Sequence, residues 1–141
     1  MNGDVLYPVE LLRRVLEDER ENVLAVEIKP CGQEEVKVVE GSEQRLVAIG
    51  KELIEENSLG EFIGVAKFSR EFNSRFADSL SKLIAAGGKS DYFEAAIDPL
   101  LAESEVCYND VSHLPCIEID FVEDLQKAEE IAASDLFRDQ R

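Results

Sequence analysis

Short runs of β-forming residues alternate with helical patterns along this chain, and this alternation limits the folds that it can adopt. The strand-like runs lie at residues 22–28, 34–40, 45–50, 60–68, 106–108 and 117–120. Helical patterns lie at residues 8–18, 69–87 and 122–137 and in a stretch that starts at Asp91. The turn-rich link at residues 41–44 predicts a hairpin between the second and third runs. We therefore predict a single α/β domain over residues 1–141, with a mixed sheet and flanking helices.

Capping residues and apolar spacing locate the helices. Pro8 suits the first turn of a helix, and Ser69 suits the N-cap of a long helix that ends near Gly87. Asp91, with Glu94 three residues later, resembles the capping box of another helix. The predicted apolar positions of the first and last helices are Val9, Leu12, Val15 and Leu16, and then Leu125, Ala128, Ile131, Ala132 and Leu136.

Charge and cysteine content restrict the partners and the compartment. The chain has 31 acidic and 15 basic residues, a net charge of −16. Nucleic acids and anionic membranes are bound through lysine and arginine, so neither is expected as a partner. The spacing of Cys31, Cys107 and Cys116 fits no zinc or redox motif and favours free thiols, and His113 lies alone in a predicted loop. With no visible signal peptide or membrane span, we expect a cytoplasmic protein.

Acidic residues near both ends of the chain are candidates for ligand binding. Ile117, Glu118, Ile119 and Asp120 alternate, so the two carboxylates face one side of a strand and the two isoleucines face the core. The carboxyl end of such a strand is where α/β proteins bind ligands. Asp4 supplies a distant second acid, and two carboxylates are what a Mg²⁺-phosphate site needs.

Five motifs occur in an order that resembles one enzyme family. They are NGDVL (2–6), AIGK (48–51), GEFIGVAKFS (60–69), YFEAAI (92–97), and IEID (117–120) with EDL (123–125). Together they resemble the C-terminal part of the sugar-nucleotidyltransferase family, in the branch of choline-phosphate cytidylyltransferases. The resemblance implies the C-terminal portion of a nucleotide-diphospho-sugar transferase fold, which is Rossmann-like. It also implies Mg²⁺-dependent nucleotidyl transfer from a nucleoside triphosphate to a sugar phosphate or a phosphocholine-like compound.

The resemblance further implies roles for individual residues. Asp4 and Asp120 match the two acids that hold Mg²⁺ in the family. Lys51 matches the lysine beside the substrate phosphate, where it would act as a catalytic point charge. The residues that match the substrate-binding segments are Glu61, Gly64, Tyr92 and Glu94.

Each of these assignments has a structural alternative. Asp4 could be a turn residue or a cap, and Asp120 could be the N-cap of the last helix, with Glu123 completing a capping box. The remaining alternatives are a surface lysine for Lys51, an edge-strand charge for Glu61, a core aromatic for Tyr92 and a capping acid for Glu94.

One family segment is not recognised in this sequence. Complete members open with a strand and a glycine-rich loop that carries an arginine, followed by a Pro-Lys pair that meets the nucleotide. Gly87 and Gly88 end a predicted helix, so they do not form such a loop. We therefore expect a homodimer or a complex with a chain that supplies the N-terminal half, and an isolated chain that is inactive. The alternatives are a non-catalytic relic, or a binding or regulatory subunit of the same fold.

Overall fold

A mixed five-stranded sheet forms the centre of the fold. The computed structural model describes residues 3–89 and 91–138, without the side chains of Leu136 and Arg138. Its strands are β1 (Val5–Leu6), β2 (Val23–Glu27), β3 (Lys37–Glu40), β4 (Leu46–Gly50), β5 (Gly60–Lys67), β6 (Cys107–Asp110) and β7 (Ile117–Glu118). The sheet order is β4-β3-β5-β2-β6, in which β2 and β6 are parallel and the other neighbours are antiparallel. Strands β1 and β7 form a separate antiparallel pair. The predicted α/β class with a mixed sheet is confirmed.

Helices and short turns cover both faces of this sheet. On one face, α1 (Val9–Glu17) buries Leu11 and Val15 in a cluster with residues of β2 and β5. On the other face lie α2 (Arg70–Ala85) and two 3-10 turns, Phe93–Ala96 and Asp98–Leu100. A third 3-10 turn (Glu55–Asn57) precedes β5, and α3 (Val122–Ala132) and α4 (Asp135–Arg138) follow β7. The longest of these helices, α2, has 16 residues, and no helix in the described residues could span a membrane.

The predicted apolar face of the first helix is partly wrong. Val15 is buried as expected, but Leu11 is its buried partner, and the side chains of Val9 and Leu16 are 46% and 60% exposed. Leu12 is partly buried against the same cluster. The helix has only nine residues, so a rotation of one position still buries two large side chains against the sheet.

Two further helix predictions need correction. The stretch from Asp91 forms two 3-10 turns, and neither has a side-chain cap. Pro99 prevents one continuous α-helix here, because it lacks the N–H that such a helix requires. The last helical pattern is divided into α3 and α4 between Ala132 and Asp135, and Leu125 is 48% exposed. The side chain of Leu136, which was predicted to face the core, lies outside the described part.

The first strand, the cysteines and the Ser69 cap can also be compared with what the sequence predicted. Within the described residues, which exclude Met1 and Asn2, the first strand is Val5–Leu6, a short strand that the sequence analysis did not locate. The three thiols are free, as expected, and Cys31 and Cys107 are buried. The Ser69 cap is also confirmed, since its hydroxyl oxygen accepts a hydrogen bond from the Phe72 N–H at 3.2 Å.

Two glycines shape the central strand β5. A Cβ atom at Gly60 would lie 2.1 Å from the carbonyl oxygen of Glu27, so only glycine allows this close approach of β5 to β2. Gly64 has a φ of 79°, and the register between the two strands shifts between Leu24 and Val26. The resulting bulge places the beginning of β5 against the end of β2.

The predicted hairpin closes with a strained turn that offers a first test. The Arg45 N–H donates to the Ser42 carbonyl at 3.0 Å, and Glu43 and Gln44 have φ values of 56° and 61°. Because left-handed φ suits Asn or Gly, we expect Glu43→Asn to raise the free energy of unfolding by about 0.5–1 kcal/mol. Urea denaturation measures this change. Glu52→Asn is the control at an exposed acid, and equal effects of the two substitutions would contradict the strain.

A candidate substrate and metal site

A cleft of about 490 Å³ gathers most of the residues that the sequence singled out. Its walls come from β1 and β7, from the end of β2 and the loop after it, from the start of β5, and from the Phe93–Ala96 turn. The predicted site residues that line it are Asp4, Lys51, Glu61, Tyr92 and Glu94. Segments distant in sequence therefore meet at one end of the sheet, as the family resemblance implied.

Three carboxylates converge at one side of this cleft. One oxygen from each of Asp4, Glu118 and Asp120 lies within 4.8 Å of the others, and all three residues are exposed. The β1–β7 pairing creates this arrangement, because Val5 lies opposite Glu118 and the Ile119 N–H donates to the Asp4 carbonyl at 2.8 Å. The prediction for residues 117–120 is confirmed only for the acids, which lie together: β7 ends at Glu118, Ile117 and Ile119 are half-buried outside the core clusters, and Ile117 lines the cleft beside Glu118.

The chemistry of this cluster suits a hard divalent cation. Partial burial raises the pKa of Glu118, and the negative charges of Asp120 and Asp4 raise it further. Carboxylate oxygens are the ligands that Mg²⁺ prefers, and a cation would offset the mutual repulsion of the three groups. Asp4 and Asp120 thus lie in one acidic cluster, in which Glu118 is a third candidate ligand, and their metal-binding role stays a prediction.

The structural alternative for Asp120 is wrong. The N-cap position of α3 belongs to Phe121, whose N–H donates to a carboxylate oxygen of Asp124 at 3.1 Å. Neither Asp120 nor Glu123 fills the capping role that the sequence allowed. The carboxylate of Asp120 is therefore available to the acidic cluster.

A lysine that the sequence did not single out neutralises the middle of the cleft. Lys29 Nζ lies 2.6 Å from Glu61 Oε2 and 3.3 Å from Glu27 Oε2. Burial disfavours the ammonium of Lys29, but the hydrogen bond that it donates to Glu61 and the negative charges of Glu61 and Glu27 outweigh this, so the pKa of Lys29 is raised. Glu61 lies in β5, which has neighbours on both sides, so the edge-strand explanation for Glu61 is wrong.

Lys51 lies against an aromatic ring and near an acid. Its Nζ is 4.2 Å from the centre of the Tyr92 ring and 3.9 Å from Glu34 Oε2. Burial opposes the charge of Lys51, but Tyr92 and Glu34 favour it, and the pKa of this lysine is raised. Tyr92 is 60% exposed, so it is not a core aromatic.

Glu94 is the buried acid of the cleft. It is 4% exposed, and its Oε2 has no hydrogen-bond partner. Burial raises the pKa of this carboxyl, and the positive charge of Lys51 opposes the rise only in part. The capping role considered for Glu94 is wrong, since the turn that contains it has no side-chain cap.

Comparisons with known proteins identify the fold. No protein-family model matches the chain, and no curated protein matches it. A solved structure of CTP:phosphocholine cytidylyltransferase from Streptococcus pneumoniae is 20% identical, with a TM-score of 0.63 over 81% of this chain and 49% of that one. The inositol-1-phosphate CTP transferase from T. maritima is 22% identical, with a TM-score of 0.57 over 94% of this chain and 54% of that one.

The chain has a nucleotidyltransferase fold. It spans about half the length of each of the two matched structures. The predicted resemblance to part of such an enzyme is therefore confirmed at the level of the fold. At these identities the match describes the path of the chain, so the roles of side chains depend on the geometry of the cleft.

Some residues in the cleft had no signal in the sequence, and one predicted residue, Gly64, lies outside it. Lys29 and Glu34 belong to the loop after β2 and match no motif, whereas Glu118 shares the alternation of Asp120 and could have been included. Gly64 bends β5 but does not line the cleft, so its substrate-binding role stays a prediction. His113 is exposed in the loop before β7, outside the cleft.

Proposed function

We propose that this chain forms the metal-binding and acceptor-binding part of a Mg²⁺-dependent nucleotidyltransferase. The reaction transfers a nucleotidyl group from a nucleoside triphosphate to the phosphate of a small molecule and releases pyrophosphate. CTP is the favoured donor, because both structural neighbours are named as CTP-using transferases. The observation that carries the proposal is the convergence of Asp4, Glu118 and Asp120 beside a cleft that also contains two lysines.

The acidic and basic residues of the cleft have different proposed roles. Asp4, Glu118 and Asp120 would hold the metal ion, which supplies electrostatic stabilisation of phosphate oxygens when it is bound. Lys51, the proposed catalytic residue, lines the same cleft and would bind and orient the acceptor phosphate. Positioning and charge neutralisation of this kind account for most catalysis of phosphoryl transfer, so no protein nucleophile is required. The Cys116 thiol in the wall fits this view, since burial and nearby carboxylates raise its pKa to about 12.

The nucleotide-binding part of the site would come from elsewhere. About half of each matched structure has no counterpart in this chain, and we propose that a second chain or a further segment supplies it. A homodimer is a separate possibility, because self-association would cover exposed sheet edges but would not supply the nucleotide-binding part. Light scattering on the full chain tests it, and a monodisperse monomer at micromolar concentration would count against a homodimer.

Divalent-ion binding is the direct test of the metal site. We expect Asp120→Asn to weaken Mn²⁺ binding to the full chain at least about tenfold, because one of three converging carboxylates is lost. Electron paramagnetic resonance of free Mn²⁺ measures the affinity, and Asp78→Asn, at an exposed acid of α2, is the control. Unchanged affinity in the Asp120 variant would reject Asp120 as a ligand.

Calorimetry with nucleotides separates the proposed enzyme from a non-catalytic module. We expect the isolated chain to bind Mg²⁺ and a phosphorylated acceptor but to show little heat with CTP. Strong CTP binding would contradict the proposal that the nucleotide part comes from elsewhere. A chain that binds the acceptor and still releases no pyrophosphate with CTP and its partner is a binding or regulatory subunit.

A further inference from the structure

One buried charged atom in the wall of the cleft has no partner. Among the buried side-chain atoms without a hydrogen bond in the described residues, Glu94 Oε2 is the carboxylate oxygen, and the others are serine hydroxyls. Buried polar groups are almost always hydrogen-bonded, and an unpaired one is costly. Glu94 lines the cleft, so a ligand there could donate the missing hydrogen bond.

The two lysines of the cleft already have acidic partners. Lys29 pairs with Glu61 and Glu27, and the ion pair of Lys51 is with Glu34, 3.9 Å away. A ligand cation placed at Glu94 would therefore approach the ammonium of Lys51 and be repelled by it. A neutral hydrogen-bond donor meets no such repulsion.

The aromatic surface of the cleft is also occupied. Lys51 Nζ covers the Tyr92 ring at 4.2 Å, which is where a quaternary ammonium would bind. The other two rings in the wall, Phe62 and Phe93, pack edge to face with centres 6.1 Å apart. A quaternary ammonium also has no N–H or O–H to offer Glu94.

We infer that the acceptor is a polyol phosphate, with a hydroxyl group that donates to Glu94 and a phosphate that binds near Lys51. This inference rests on the proposed function and adds the chemical class of the acceptor to it. Glu94 is then the residue that determines specificity, because its carboxylate accepts a hydrogen bond from a hydroxyl group, which a phosphocholine-like compound lacks. Hydroxyl recognition by a buried acceptor discriminates strongly, since the wrong ligand leaves the acceptor unpaired.

A ligand panel on the full chain with Mg²⁺ tests the inference. The probes are inositol 1-phosphate, glycerol 3-phosphate, phosphocholine and inorganic phosphate, titrated by calorimetry. We expect the polyol phosphates to bind at least about tenfold more tightly than phosphocholine and inorganic phosphate. Glu94→Met should remove this preference, Glu94→Gln should keep part of it, and Glu129→Ala, at an exposed acid of α3, should leave it unchanged.

The outcomes separate this inference from the proposed function. Equal or tighter binding of phosphocholine by the unmodified chain would overturn the inference. So would a preference for polyol phosphates that survives in Glu94→Met. Binding of Mn²⁺ and inorganic phosphate without any gain from hydroxyl groups would overturn the inference alone, whereas the absence of both would overturn the proposed function as well.

Discussion

Replacement of Lys37 by alanine is expected to lower the free energy of unfolding by about 3 kcal/mol. Lys37 is 1% exposed, and its Nζ donates to the carbonyl oxygens of Gly32 and Glu35 at 2.8 and 3.1 Å. The substitution removes both charge-assisted bonds and leaves a cavity where the aliphatic part of the side chain packs. Two half-buried carbonyl groups then lose this donor, which adds to the cost of the cavity.

The same contacts organise the loop that forms one wall of the cleft. Residues 28–36 connect β2 to β3 and include Lys29 and Glu34, and the Gly32 N–H donates to Glu35 Oε2 at 2.9 Å. Lys37 stabilises this loop by donating hydrogen bonds to two of the loop's backbone carbonyl groups. We therefore expect Lys37→Ala to weaken acceptor binding as well as stability, because Lys29 and Glu34 lose their fixed positions.

Urea denaturation measures the stability change, and two further variants interpret it. Lys37→Met keeps the volume of the side chain, so its loss reports the missing hydrogen bonds without the cavity. Lys82→Ala replaces an exposed lysine of α2 and should change stability by less than about 0.5 kcal/mol. A loss in Lys37→Ala as small as that of Lys82→Ala would contradict the structural role of Lys37.

The parts of the fold that were predicted from sequence are those with a strong local signal. The runs at β2, β5 and the hairpin combine β-forming residues with clear turn or bulge positions, and they lie within a few residues of their predicted bounds. The long helices were located, but their buried faces were predicted only in part: Val15 and Ala128 are buried as expected, whereas Leu11 was missed, because α1 is short and its burial depends on the sheet beneath it. The division between α3 and α4 has no proline or glycine to mark it.

In the site, too, residues that belong to sequence motifs were predicted, and residues placed by strand pairing were not. Asp4 and Asp120 belong to motifs, and their convergence was expected from the family resemblance. Lys29 contacts Glu61 because Glu27 and Glu61 are paired across β2 and β5, and this register depends on the bulge at Gly64. Pairings of this kind arise only when the strands meet, so the loop residues of the cleft could not be inferred from spacing along the chain.

Replacement of Glu94 by methionine is expected to raise the free energy of unfolding at pH 7 by about 1–2 kcal/mol. Methionine is similar in size and flexible, and it removes both the buried charge and the unpaired Oε2. Glu94→Gln removes only the charge and should give a smaller gain. Glu129→Gln, at an exposed acid, should have almost no effect.

The pH dependence of this gain follows from the direction of the pKa shift. Burial raises the pKa of Glu94 above its ordinary value of 4.5, so the folded chain holds this proton more tightly than the unfolded chain does. The resulting contribution to stability is fully present below pH 4.5 and is lost as the pH rises through the higher pKa of the folded state. The difference between Glu94→Gln and the unmodified chain should therefore be small in acid and grow toward neutral pH.

The comparison of stability with acceptor binding decides what this buried acid is for. A residue kept for packing would lose stability in both variants, whereas one kept for a ligand gains stability and loses binding. We expect Glu94→Met to denature at higher urea concentration while it loses the preference for polyol phosphates. A lower midpoint for Glu94→Met at pH 7 would mean that the carboxylate stabilises the fold, and the argument for a hydroxyl-bearing acceptor would then lose its main support.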